Sequence, residues 1–179
     1  MVGRGLLLIA CAAALSACSP PMSSVMGVAA DADGKPVGVV AVCAGGLPGL
    51  DRHYTNLADL EVWDGPGNTG SPRPIESGRW FTDEPVTDLG TWSLTTGEPW
   101  TTQAPITLRD GYTYYLSGTG RSQDGWSNES LSKGIEFTLA DVAALEPGQV
   151  RYRAQGDVMA TEPTFAVVPL EDFREAVCR

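Results

Sequence analysis

The residues most able to do chemistry are four cysteines, Cys11, Cys18, Cys43 and Cys178, and one histidine, His53. His53 lies in Gly49-Leu50-Asp51-Arg52-His53-Tyr54. A Ser-His-Asp device needs a serine poised on that ring. The chain has no G-x-S-x-G elbow, no H-E-x-x-H pair and no glycine-rich phosphate loop ending in Lys-Ser/Thr. His53 therefore reads as a surface-loop residue. Asp31-x-Asp33-Gly34 offers short-spaced carboxylates of the kind that wrap a hard cation, but Lys35-Pro36-Val37 follows where a calcium loop needs further ligands. A plain β-turn is the better reading. Asp83-Glu84 and Glu171-Asp172 could do acid–base work only if buried about 5–10 Å from a partner carboxyl. A solvated acidic surface accounts for them with fewer assumptions. No catalytic residue, cofactor or metal is assigned, and the chain is not read as an enzyme.

The tryptophans carry more information. Trp63 and Trp92 fall within strand patterns and are expected in the core. Trp80, Trp100 and Trp126 fall in polar, turn-rich segments, Gly78-Arg79-Trp80, Glu98-Pro99-Trp100-Thr101 and Asp124-Gly125-Trp126-Ser127-Asn128. Exposed rings of this kind anchor protein partners or stack on sugar faces, which makes these three the candidate binding residues. The alternative is that they fold back to cover the ends of the domain.

The start of the chain reads as an export signal. Met1 to Arg4 carries one positive charge, an uncharged apolar run extends from Gly5 to Ala14, and Leu15-Ser16-Ala17-Cys18 closes it. The run is shorter than the roughly 20 apolar residues that span a bilayer and ends in small residues, as a secretory h-region does. The closing tetrad resembles the lipobox of bacterial lipoproteins. In that family the Cys thiol receives a diacylglycerol and the leader is cut before it. The resemblance implies a signal peptide over residues 1–17, lipidation of Cys18, and a protein held on the cell membrane facing the extracytoplasmic side. Leu8-Ile9-Ala10-Cys11 also fits the tetrad but leaves an h-region of about six residues, below the usual 7–15.

Ser19-Pro20-Pro21-Met22-Ser23-Ser24 has two prolines and no hydrophobic period, so residues 18–26 are read as the lipidated cysteine and an extended linker. With Cys18 acylated and the leader cut away, Cys43 and Cys178 remain in an oxidising compartment, where a disulfide is favoured. A structural zinc site would need more ligands than these two thiols and a distant histidine.

Twelve Lys+Arg stand against 22 Asp+Glu, a formal net charge of −10. An acidic chain without a basic run excludes electrostatic binding to nucleic acid and to anionic lipid. The remaining partners are the membrane through the anchor, an envelope protein, or a glycan. In the body, residues 27–179, period-two alternation recurs between turn clusters rich among 21 Gly and 13 Pro. Strands are expected at Val37 to Cys43, Leu60 to Trp63, Thr91 to Leu94, Ile106 to Leu108, Tyr112 to Ser117, Ile135 to Leu139, Val150 to Arg153 and Phe165 to Val168. Only Leu139 to Leu145 and Leu170 to Val177 suit a helical turn or two. Such a pattern predicts an all-β domain, an antiparallel sandwich of two layers.

Val28 to Val37, with its Asp, Gly and Pro, resembles the first hairpin of transthyretin-like, carboxypeptidase-regulatory-type sandwiches. Thr87-Asp88-Leu89-Gly90-Thr91-Trp92 is similar to their second signature, and Leu108-Arg109-Asp110-Gly111-Tyr112-Thr113-Tyr114 to their third. Fibronectin-type domains use the last arrangement as a tyrosine corner, a hydroxyl bonded back to backbone across the turn. The resemblance covers about a third of the chain, and the stretch from Cys43 to Thr87 is longer than that family has there. It implies an immunoglobulin- or transthyretin-like module without a shared active site, serving as a spacer, stalk or binding platform.

Overall fold

The computed structural model describes residues 22–43, 54–65, 74–120, 130–154 and 163–178. The expected leader (residues 1–17), Cys18, His53 and Trp126 lie outside them. The described residues form eleven strands and two short helices: β1 (Met22–Ala30), β2 (Pro36–Val42), β3 (Thr55–Asp64), β4 (Glu76–Val86), β5 (Leu89–Ser93), β6 (Thr101–Ala104), β7 (Thr113–Gly120), β8 (Ser130–Lys133), β9 (Ile135–Phe137), α1 (Leu139–Ala143), β10 (Gln149–Arg153), β11 (Phe165–Pro169) and α2 (Leu170–Val177).

The strands join into one sheet in the order β11-β10-β1-β8-β7-β3-β4-β6, with β2 and β5 carried on β1 and β9 on β7. The sheet curls into a half-barrel. It is mixed, where a purely antiparallel arrangement was expected, because β1 and β8 run parallel through Val25 and Lys133. The remaining pairings are antiparallel.

Alternation along β1 supplies two cores. Met26, Val28 and Ala30 join the larger one, with Val40, Leu60, Trp80, Trp92, Tyr114 and Phe137. Val25 and Ala29 point the other way, into a smaller core with Val39, Ala41, Val150, Tyr152, Phe173 and Val177. A strand buried on both faces loses the polar half of its pattern, which is why Val37 to Cys43 reads as an unbroken apolar run. In α2, Phe173 and Val177 are one turn apart and form its buried stripe. Phe173 meets Tyr152 edge-on, with centroids 5.5 Å apart.

Three boundaries differ from the sequence expectation. Met22 to Met26 belong to β1 and not to a linker: Ser24 pairs with Val42, is buried, and takes a hydrogen bond from the Thr55 hydroxyl at 3.2 Å. Gly78-Arg79-Trp80 lies inside β4, not in a loop. Ile106 to Leu108 form no strand; the edge strand β6 precedes them, at Thr101–Ala104.

Candidate functional site

The edge of β1 opposite β2 is shared by two strands. Its first half pairs with β8, through Met22, Ser24 and Val25. Its second half pairs with β10, through Gly27, Val28 and Ala29. Between Val25 and Gly27 the sheet therefore forks, with β8 leaving one way and β10 the other. A cavity of about 240 Å³ opens at this fork. Val25 lines it from β1, Lys133 from the end of β8, and Tyr152, Arg153 and Ala154 from the end of β10. Ala176 and Val177, at the end of α2, complete the lining.

Lys133 Nζ donates to the Ala154 carbonyl at 2.9 Å and so ties the two prongs together. Among the described residues that is the one partner of the ammonium, which has three N–H groups to donate. Partial burial, and then the neighbouring Arg153 cation, hold the Lys133 ammonium below the ordinary lysine pKa. Every other lysine or arginine among the described residues has a carboxylate partner: Lys35 with Asp33, Arg79 with Asp59, Arg109 with Glu76, Arg151 with Asp141 and Arg174 with Asp88. Lys133 and Arg153 have none among the described residues, and they line the same cavity. In a chain with nearly twice as many acids as bases, two adjacent cations without a counter-charge mark the fork as a local anion-attracting spot.

Of the three tryptophan candidates, Trp126 lies outside the described residues, and Trp80 and Trp100 do not form a binding surface. Trp80 is 1% and Trp100 6% exposed. Trp80 lies opposite Ala58 in the β3–β4 pairing, and Trp100 stacks on Trp92 with centroids 4.3 Å apart. Rings buried on this scale present no face to a sugar, so both are corrected from anchors to core. Trp92 is core, as expected, at 1% exposure. Trp63 is half-buried and donates its indole N–H to Glu61 Oε2 at 2.9 Å.

Asp31 Oδ1 accepts from the backbone N–H groups of Asp33 and Lys35, at 2.9 and 2.8 Å, and Gly34 takes φ +78° in the same turn. That hairpin closes β1 onto β2, the role a β-turn demands. Asp83, Glu84, Glu171 and Asp172 are all exposed. Among the described residues no cluster of three or more His, Cys, Asp or Glu is arranged to hold a metal ion. Cys43 and Cys178 form a disulfide, with Cα atoms 5.1 Å apart and a sequence separation of 135. It joins the end of β2 to the end of α2, the helix that lines the fork.

The fork was not legible as a site. Its residues come from β1, β8, β10 and α2, and neither Lys133 nor Arg153 belongs to a motif. One signal was available: Arg151-Tyr152-Arg153 places two cations on one strand of an acidic chain. Comparison of the chain with protein-family models, with curated proteins and with solved structures returns no match.

Proposed function

We propose that the chain is the precursor of a lipid-anchored bacterial envelope protein, acting outside the cytoplasm as a non-catalytic binding or structural module. The observation that carries this reading is the disulfide between Cys43 and Cys178 in a chain that also holds Leu15-Ser16-Ala17-Cys18. Stable disulfides belong to exported compartments, and the tetrad is where an acylated cysteine would lie. Two or three acyl chains, at about 0.8 kcal/mol per buried CH₂, retain a domain on a membrane where one would not.

The start of β1 sharpens the geometry of this anchor. Only Ser19, Pro20 and Pro21 separate Cys18 from Met22. Three residues span at most about 10 Å. An anchored domain would thus sit against the membrane surface with the Met22 end of β1 nearest to it. The finer fold reading, an elaborated transthyretin-like or fibronectin-like sandwich, is supported by the Asp31–Gly34 hairpin. It is also supported by Tyr114, whose hydroxyl accepts from Arg109 N and donates to Arg109 O.

The test is to express Cys18→Ala in a bacterial host with labelled palmitate. The label should be lost and the protein should leave the membrane fraction. Label persisting in the variant would overturn the Cys18 assignment and transfer it to Cys11. A glycan-binding module, the second reading from sequence, loses two of its three anchors because Trp80 and Trp100 are buried.

A further inference from the structure

We propose that the β1 fork is a binding site for a small amphiphilic carboxylate, whose charged head is held by Lys133 and Arg153 and whose apolar body lies on Val25, Ala176 and Val177. The inference does not depend on the lipid anchor. It rests on three features that meet at one place. The cavity exists because β8 and β10 diverge from the same edge of β1. Its two cations are the ones that no carboxylate of the described residues neutralises. Its remaining wall is formed by Val25, Ala154, Ala176 and Val177 together with Tyr152.

The chemistry selects the ligand class. Two cations beside each other repel, and an anion between them relieves that repulsion while gaining charge-assisted hydrogen bonds. Arg153 offers a planar fork suited to a carboxylate, and Lys133 a second point of attachment with its N–H groups. An inorganic anion would leave Val25, Ala176 and Val177 uncovered, whereas an apolar tail covers them. The volume, about 240 Å³, lies below the roughly 300–1,000 Å³ of pockets that take drug-sized ligands. A short-chain or single-ring carboxylate fits that limit and a diacyl lipid does not.

The experiment titrates the mature protein with sodium octanoate, 1-octanol and octylammonium, read by calorimetry and by methyl NMR of valine and alanine. Saturable octanoate binding is expected below about 10 mM, with octanol weaker by about tenfold or more and octylammonium not binding. The shifting methyls should be those of Val25, Ala176 and Val177. Lys133→Met and Arg153→Met should each weaken octanoate by about tenfold. Because Lys133 also ties two strands, the wild-type NMR map and the exposed Arg153 variant stand even if Lys133→Met unfolds. No saturable octanoate binding, equal affinity for octanol, or methyl shifts elsewhere in the protein would each overturn the site. So would binding to phosphatidylglycerol vesicles that Arg153→Met abolishes while octanoate fails to bind, since that would assign the cations to a membrane surface.

Discussion

A Cβ on Gly38 would lie 2.4 Å from Cζ2 of Trp92, so the indole occupies the volume that any larger residue at position 38 would need. The two residues are directly opposed in the β2–β5 pairing. Trp92 in turn stacks on Trp100, and its indole nitrogen has no hydrogen-bond partner among the described residues. The ring is therefore held by packing and not by polar contacts. Gly38→Ala should lower stability by about 1–3 kcal/mol in urea unfolding, the usual cost of overpacking. In a Trp92→Phe background the smaller ring should accommodate the methyl, and the penalty should shrink. An undiminished penalty would show that the cost arises elsewhere than at this contact.

The disulfide closes a long loop onto a short helix. Without it, α2 would be held by Phe173, Val177 and the Arg174–Asp88 ion pair, which is exposed and therefore weak. Cys43→Ser and Cys178→Ser should each reduce stability by about 2–5 kcal/mol. Thiol counting on the oxidised, denatured protein should find neither Cys43 nor Cys178 reactive. Hydrogen exchange should show α2 losing protection first in either variant; uniform loss across the sheet would contradict a local role.

Much of the fold was legible because its strands alternate. Leu60 to Trp63 and Val150 to Arg153 appear where period two places them, and Phe165 to Val168 appears as the late strand expected. The Tyr114 corner appeared where its turn pattern placed it. The failures have identifiable causes. Gly78 and Trp80 are buried on one face of β4 with Arg79 exposed between them, but the glycine suggested a loop. A Cβ there would meet Ile106 Cγ2 at 2.6 Å, so this glycine marks a close approach inside a strand. Met22 to Ser24 carried two serines after two prolines, and only the neighbours β2 and β8 reveal that they pair. A parallel pairing between β1 and β8, over a hundred residues apart in sequence, leaves no local trace at all. The fork depends on that pairing, and for that reason the candidate site was the least visible part.

Trp80 and Trp100 should behave as core residues. Both should be shielded from acrylamide, and Trp80→Ala and Trp100→Ala should each lower stability by about 3–5 kcal/mol. Neither substitution should alter octanoate binding in protein that remains folded, since neither ring lines the fork. Strong quenching of either ring would restore it as a surface anchor.

Tyr114 predicts how the protein responds to alkali. Its side chain is fully buried, and its hydroxyl accepts from the Arg109 amide at 2.6 Å and donates to the Arg109 carbonyl at 3.0 Å. Burial raises its pKa above the ordinary 10.0, outweighing the opposing effect of the Arg109 backbone bond. The folded state therefore favours the neutral phenol. Its contribution is complete below the unfolded value and is lost as pH rises through the folded one, because only there does the unfolded state bind fewer protons. Lys133 acts in the opposite sense. Its folded pKa is lowered, so between that value and 10.5 the unfolded chain binds more protons and stability gains with pH. The difference between wild type and Tyr114→Phe cancels the lysine contribution. Near neutral pH the variant should be less stable by about 1–3 kcal/mol, since two buried backbone groups lose their partner. Urea unfolding at about pH 8 and about pH 11 should show that gap narrowing in alkali, as the wild type alone suffers from ionisation of Tyr114. A gap that stays constant or widens would mean that ionisation of Tyr114 does not destabilise the folded protein and would overturn the raised phenol pKa.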